Sequence, residues 1–376
     1  MLVQIHILQN YAPSNLNRDD SGAPKDAIFG GAKRGRISSQ CIKRSMRHSL
    51  PFQEKFESGQ LLAMRTKRLP GLIDTALKGL NCDDGSRQAI VERIPEIGKK
   101  GSEGDSNTKE NKGNDMPETR QLIFMSPQEI PVLAEKLQTL YQELGADAFK
   151  KLPIDKLEDA LKHDMPRSVD VAMFGRMTTS AAFENVQASV QVAHSLTTSA
   201  IETEFDYFTA VDDISGETGA GMIGDVEFNS ATHYKYLNVH WEQLLENLGG
   251  DVAVATDAIG ALLDAFAVAQ PTGKQNSFAA HNLPDLILVE ISAKNLPVSY
   301  ANAFLKPVRP NFQQSLMDAS IEHLDDYMKR LRKAYALNSN RAYLAIFDHT
   351  ITDAEAQESL PAMQEWLRAQ FAAQGV

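Results

Sequence analysis

The sequence predicts an α+β protein in which a small sheet core, built from distant segments, is decorated by large insertions. Three observations carry this. Strand-like segments stand near both ends of the chain, at residues 2–9 and 342–347. Helical and strand-like patterns are interspersed between them. Residues 99–119 (KKGSEGDSNTKENKGNDMPET) are almost free of apolar side chains and read as a mobile insertion loop.

The elements follow in order. Residues 2–9 alternate and read as a strand. Residues 10–37 read as loop, on Pro13, Asn15, Asn17, Gly22, Pro24, Gly30, Gly31 and Gly35. A helix begins near Ser38 or Ser39, either of which suits an N-cap. Residues 52–98 are helical in pieces, broken at Pro70-Gly71 and Asp83-Asp84-Gly85. Helical patterns resume at 127–144 and 153–163. Residues 168–177 (SVDVAMFGRM) and 186–198, with Val186, Val190 and Val192, read as strands. Residues 199–230 surround Tyr207-Phe208 with acidic and glycine-rich stretches and read as a protruding hairpin or loop. A strand at 234–241, an Ala-rich helix at 251–269 and an apolar strand at 286–291 come next. The chain closes with an amphipathic helix at 313–335, a strand at 342–347 and a helix at 353–372. No internal repeat emerges.

With 43% hydrophobic and 23% charged residues over 376 positions, the chain can build a large core. No apolar run approaches the roughly 20 residues that span a bilayer. The start, Met1 to Leu8, lacks the basic residues and the cleavage site of a signal peptide. Cys41 and Cys82 fit neither a zinc pattern nor a disulfide framework. A cytoplasmic protein without cofactor or metal is the expectation.

The net charge of −11 taken alone argues against a nucleic-acid binder, but its distribution does not. Residues 1–48 carry Arg18, Lys25, Lys33, Arg34, Arg36, Lys43, Arg44 and Arg47 against Asp19, Asp20 and Asp26. Such asymmetry points to a local anion-binding face. On a helix from residue 38, Gln40, Lys43, Arg44 and Arg47 share one side, while Cys41, Ile42, Ser45, Met46 and Ser49 share the other. Like charges three and four apart repel by about 0.2–0.5 kcal/mol per pair. A polyanion turns that repulsion into attraction. Ser38 adds a hydroxyl at a helix start, which favours anions. The preceding loop adds Lys25, Lys33, Arg34 and Arg36, with glycines that let a phosphate backbone approach. The bland alternative is a solvated basic helix face.

Here the sequence resembles a known family. Asn17-Arg18-Asp19-Asp20, Lys25 through Gly31, Arg36-Ile37-Ser38-Ser39-Gln40, Lys43-Arg44 and Met46-Arg47 are similar to the N-terminal signature of the CasC family. That family forms the Cascade backbone of type I-E CRISPR systems. The resemblance continues, in order, at Gly175-Arg176-Met177, Phe208 through Asp213, Glu246 through Gly250 and Ala301 through Phe304. It implies a modified ferredoxin-like (RRM-like) palm at 1–50, 165–198 and 231–376. It implies a mostly helical finger insertion at 51–164 and a β-hairpin thumb at 199–230. By position, Arg18, Lys25, Ser38, Gln40, Lys43, Arg44 and Arg47 resemble the family's contacts to the RNA backbone. Met177 resembles a residue that stacks near a displaced base. Tyr207, Phe208 and Thr209 fall at the thumb that wedges into the guide. The implied partners are guide RNA, target DNA through that guide, further copies of the chain, and the large, small, cap and guide-processing Cascade subunits.

The residues at the thumb agree on their own terms, because aromatics in a polar, glycine-flanked segment suit base stacking. The plain alternative is that one ring packs inward. Pro271 through Ser277 is a polar turn whose Lys274 suits either RNA or the next subunit. Ala301 through Phe304 reads as packing. The rival activity is ribonuclease chemistry, by a metal at Asp19-Asp20 or Asp212-Asp213 or by His6 and His48. Adjacent loop carboxylates more often cap or pair, His6 reads as a core residue on its strand, and His48 flanks the basic face. The expected function is therefore a non-catalytic RNA-binding backbone subunit in antiviral defence, where base pairing supplies sequence recognition and the protein supplies geometry.

Overall fold

The first strand, β1 (Leu2–Ser14), is buried on both faces along its first eight residues, so it belongs inside a sheet with cover on each side. The computed structural model describes residues 1–97, 117–162, 168–178, 180–211, 214 and 220–373. The expected insertion loop at 99–119 falls largely outside the described residues.

After β1 come β2 (Asp26–Phe29), β3 (Ala32–Ile37), α1 (Ser39–Arg47) and α2 (Leu50–Phe56). Next are β4 (Met64–Thr66), α3 (Leu69–Gly79), α4 (Asp84–Val91), β5 (Ile123–Met125), α5 (Glu129–Leu144), α6 (Ala146–Lys151), α7 (Ile154–Leu161) and α8 (Val169–Phe174). Then follow β6 (Val190–Val192), β7 (Ser195–Thr197), β8 (Glu204–Val211), β9 (Ala220–His240), α9 (Trp241–Asn247), α10 (Val252–Val268) and α11 (Gln275–Phe278). The last are β10 (Leu286–Ser292), α12 (Leu316–Tyr335), β11 (Asn340–Ala345), β12 (Glu355–Ala356) and α13 (Leu360–Ala373).

Two compact units result. One holds Met1–Phe52, Val190–Glu242 and Asp251–Val376; the other holds Gln53–Ser189 and Gln243–Gly250.

The first unit is a mixed sheet in the order β12-β11-β10-β1-β9-β7-β3-β2, with β6 and β8 also paired to β9. β1 sits centrally, antiparallel to β10 and to β9, with Ile5 opposite both Val289 and Leu237. One sheet face, with Leu8, Tyr234, Leu288 and Tyr343, packs on Ile321, Leu324 and Met328 of α12. That helix is fixed at its start by a capping box between Ser315 and Asp318. The other face carries Lys235, buried with its ammonium over the Phe266 ring of α10.

The second unit is mostly helical. Leu69, Ile73 and Leu77 of α3 meet Leu133 and Leu137 of α5, Phe149 of α6 and Leu157 and Leu161 of α7. β4 and β5 pair as a small separate sheet. No helix among the described residues is long and apolar enough to cross a membrane.

Several expectations are corrected. Residues 10–37 are not simply loop: β1 runs on to Ser14, and β2 and β3 form a hairpin closed by Gly30 and Gly31, both at positive φ (60° and 77°). A two-residue Gly-Gly connection is a hairpin signal, and the density of loop formers obscured it. Residues 168–177 form a short helix, not a strand. Five apolar residues, Val169 and Val171 to Phe174, interrupted only by Asp170, are too short a stretch to reveal their period. Gly175, at φ 77°, ends that helix. Pro70 does not break a helix but sits in the first turn of α3, where its missing N–H leaves nothing unsatisfied. The final helix starts at Leu360, after the short β12.

Candidate nucleic-acid interface

The site begins with how α1 is held. Ser38 is its N-cap: the backbone is extended there (φ −68°, ψ 146°) and the side chain accepts from the Cys41 N–H. Asn17 Oδ1 accepts from the Ser38 N–H at 2.8 Å, which ties the helix start to the preceding loop. Ile42 and Met46 are buried. Gln40 and Arg44 are therefore exposed, with Lys43 and Arg47 half-buried beside them. The amphipathic reading of this helix survives the fold. Arg44 and Arg47 occupy the last turn, where the helix dipole offsets part of their mutual repulsion. Ser38 itself is buried and serves as the cap, a correction to its expected place at the phosphate-facing surface.

The loop before β2 is closed by Asp19. Its Oδ1 accepts from the Ser21 N–H (2.9 Å), the Ser21 hydroxyl (2.7 Å) and the Ala23 N–H (3.0 Å). The Ser21 hydroxyl foremost, with these backbone donors, holds the Asp19 carboxyl below its usual range. The closed turn leaves Arg18 exposed. Lys25 is half-buried, with its N–H on the Asn17 carbonyl (2.8 Å).

A cavity of about 890 Å³ opens between this loop, α1 and the segment after α10. Arg18, Asp20, Arg44, His48 and Gly273 are among its walls. Gly273 is required there: a Cβ would stand 2.3 Å from the Leu16 carbonyl oxygen. That approach brings the half-buried Lys274 to the same neighbourhood. The fold thus places Arg18 and the Gly273 turn that precedes Lys274 on one cavity with Arg44 of α1, and Lys25 close enough for its charge to act on Cys41; Gln40, Lys43 and Arg47 stand on α1 itself. The wall supplied by Val268, Gln270 and Thr272 was not anticipated, because it lies more than 200 residues from α1 in the chain.

The β2–β3 cations behave differently. Lys33 is exposed and pairs with Asp26 at 2.8 Å. Arg36 donates to the Asp26 carbonyl and meets His194 Nδ1, each at 3.2 Å. Burial first, then the Arg36 and Lys25 charges, lower the His194 pKa, which suits a neutral ring accepting from Arg36. Arg34 overturns its expectation. It is 0% exposed, and its guanidinium donates to the carbonyls of Thr197, Thr198 and Phe304. It is a structural clamp inside the unit and not an RNA contact. On a strand, alternate residues face opposite sides, so Lys33 and Arg34 do not share a surface.

The ribbon of β8 and β9 carries Tyr207, Phe208 and Thr209. All eight β8 residues are exposed, Tyr207 at 64% and Phe208 at 37%. Neither ring packs into the sheet core. Met177 belongs to the second unit and is 96% exposed, on the turn after α8.

His6 is buried, stacked within 5 Å of the Tyr236 and Tyr300 rings (4.9 and 4.6 Å), with Nδ1 2.8 Å from the Tyr234 hydroxyl. It cannot reach an external substrate. His48 is exposed at the cavity wall. Asp212 and Asp213 lie outside the described residues. Among the described residues, no group of three or more His, Cys, Asp and Glu is arranged to hold a metal.

The family model described as CT1975-like protein matches residues 3–371. Comparison with curated proteins gives no match. Among solved structures, the chain is similar to a chain of a CRISPR RNA-guided surveillance complex, pre-nicking. The identity is 31%, the TM-score 0.80, and the match covers 98% of this chain and 100% of that one. It is also similar to a chain of a CRISPR RNA-guided surveillance complex at 26% identity and TM-score 0.71, again covering 98% of this chain and 100% of that one.

Proposed function

The chain belongs to the CT1975-like protein family, a Cas family, and on that premise we propose that it is the repeating RNA-binding backbone subunit of a CRISPR surveillance complex. In this reading it is the CasC-type subunit of a type I-E Cascade. Its sheet unit is a modified ferredoxin-like palm, its helical unit the finger region, and the β8–β9 ribbon the thumb. Copies line up along one guide RNA in the cytoplasm, beside large, small, cap and guide-processing subunits. The guide bases are presented for pairing with target DNA, so the protein holds backbone geometry while pairing reads sequence.

One observation carries the reading: α1 turns Gln40, Lys43, Arg44 and Arg47 outward on a helix whose start and buried side are fixed by Ser38, Ile42 and Met46. Arg18, Lys25 and Lys274 extend the cationic surface. Contacts of that kind bind phosphate without reading bases. The exposed Tyr207 and Phe208 supply stacking surface for bases, each stack being worth about 1–3 kcal/mol.

The reading is non-catalytic. Burial of His6 and the turn-closing hydrogen bonds of Asp19 favour it over cleavage at those residues.

The test is to express the chain with a matching CRISPR array and the other complex subunits, then size the product and measure its nucleic-acid absorbance. Multimers on one RNA are expected, and a monomer free of nucleic acid overturns the reading. Replacing Lys43, Arg44 and Arg47 together by Ala then lowers RNA affinity. Its logarithmic salt slope falls by about 2, at about 0.7 per lost phosphate contact on a single strand.

A further inference from the structure

Met177 stands almost wholly in solvent, yet the turn beneath it is tightly held. Arg176 and Glu129 are both buried, and Arg176 Nη1 meets Glu129 Oε1 at 3.0 Å and Oε2 at 3.1 Å. The same guanidinium donates through Nε to the Glu184 carbonyl at 2.9 Å and through Nη1 to the Phe124 carbonyl at 3.3 Å. It also lies over the Phe183 ring, 5.7 Å from its centre. Arg176 and Val186 exchange both backbone hydrogen bonds, at 3.0 and 2.8 Å. On the other side of Arg176, Gly175 sits at φ 77° with no room for a side chain, since a Cβ would stand 2.8 Å from the Val186 carbonyl oxygen. Thr178 N–H is held by Asn185 Oδ1 at 2.7 Å. Backbone before and after Met177 is thus fixed, and one side chain is left projecting.

A buried ion pair is not a cheap way to stabilise a fold: an apolar pair of similar volume often does as well. Its particular merit here is geometric: with Nη1 on Glu129 and Nε on the Glu184 carbonyl, two positions of one planar guanidinium are held and its direction is fixed. Burial pushes the Glu129 carboxyl up, and the Arg176 charge pulls it back. We propose that Glu129, acting through Arg176, is a positioning residue that sets the direction in which Met177 is presented to the guide. The proposal rests on the reading of Met177 as an RNA contact. A flexible, polarizable thioether suits a base face, and holding its backbone rigid lowers the ordering entropy of that contact.

The test uses the full chain in the assembled ribonucleoprotein and, in parallel, the chain labelled with 13C at its methionine methyl groups. Met177 is assigned by loss of its signal in Met177→Leu. In Glu129→Ala, the Met177 methyl signal moves and broadens before any RNA is added. Chemical probing of the guide then loses its pattern of reactive, displaced bases at the same positions as in Met177→Ala. Glu129→Gln, which keeps the shape and two polar atoms, lies between. Leu133→Ala, one turn along α5 from Glu129, weakens the helical core but leaves the Met177 signal and the probing pattern unchanged. If Glu129→Ala leaves both as in the unaltered protein while Met177→Ala changes the pattern, positioning by Glu129 is overturned and the RNA contact stands. If Met177→Ala leaves the pattern unchanged, the RNA contact at this turn falls, and the proposal falls with it.

Discussion

Phe208 lies over Gly224 across the β8–β9 ribbon, so closely that a methyl group added to Gly224 would stand 2.6 Å from the ring's Cζ. Gly224→Ala therefore forces the ring off its seat. The ribbon is exposed along all of β8, so little global stability depends on it. The chemical-denaturation midpoint is expected to move by no more than about 0.5 kcal/mol. Amide exchange at Glu204–Val211 is expected to accelerate clearly. A large global loss would mean that the ribbon is integral to the sheet unit's stability.

Arg34 and Arg44 predict opposite outcomes although both are arginines in the same basic segment. Arg34→Met leaves the carbonyls of Thr197, Thr198 and Phe304 without their donor inside the core. Urea titration should show a loss of about 3 kcal/mol or more, since each unsatisfied buried group costs about 1–3. Arg34→Lys recovers only part, because an ammonium cannot fork to separated acceptors. Arg44→Ala, at the exposed face of α1, should stay within about 0.5 kcal/mol and show its effect in RNA affinity alone.

The hairpin glycines separate strain from steric overlap. At Gly31 (φ 77°) a Cβ meets nothing within 4 Å, whereas at Gly30 (φ 60°) it would stand 1.8 Å from the Leu305 carbonyl oxygen. Gly31→Ala should cost about 1–2 kcal/mol for the left-handed backbone. Gly30→Ala should cost clearly more, since the hairpin must also lift from Leu305. Thermal melts of the two variants side by side check the order.

Lys235 gives a pH signature. Its ammonium is buried, with Nζ 2.8 Å from Gln9 Oε1 and 2.7 Å from the Phe266 carbonyl, and burial lowers its pKa from 10.5 to about 7. Between about pH 7 and 10.5 the unfolded chain keeps a proton that the folded chain has lost. Unfolding free energy from this group therefore rises with pH across that window, by at most about 1.4 kcal/mol per unit. Below pH 7 the destabilisation is present in full. Urea midpoints at pH 7 and 9 should rise in the unaltered protein, and Lys235→Met should lack that increment. Equal increments in both would place the pH dependence elsewhere.

Much of the fold was legible because the relevant forces are local. α12 and α5 announce themselves by period, α10 by its alanines, β1 by alternation, β10 by an apolar run, and α1 by Ser38 and its two-sided pattern. Errors came where local pattern was too short or too polar to decide. Five apolar residues around Asp170 at 169–174 fit strand and helix alike, and glycines hid the β2–β3 hairpin.

By itself the sequence determined that a basic, amphipathic helix follows the first strand and that Gln40, Lys43, Arg44 and Arg47 share a side. Both follow from spacing along one chain segment. Only the tertiary structure decided that Arg34 turns inward to carbonyls from two distant segments while Lys33 stays out. Only it placed Gly273 against Leu16 and closed Arg176 on Glu129. Those outcomes depend on which surfaces are excluded from water when remote segments pack. A charge that ends inside must then find its partners wherever the chain has brought them.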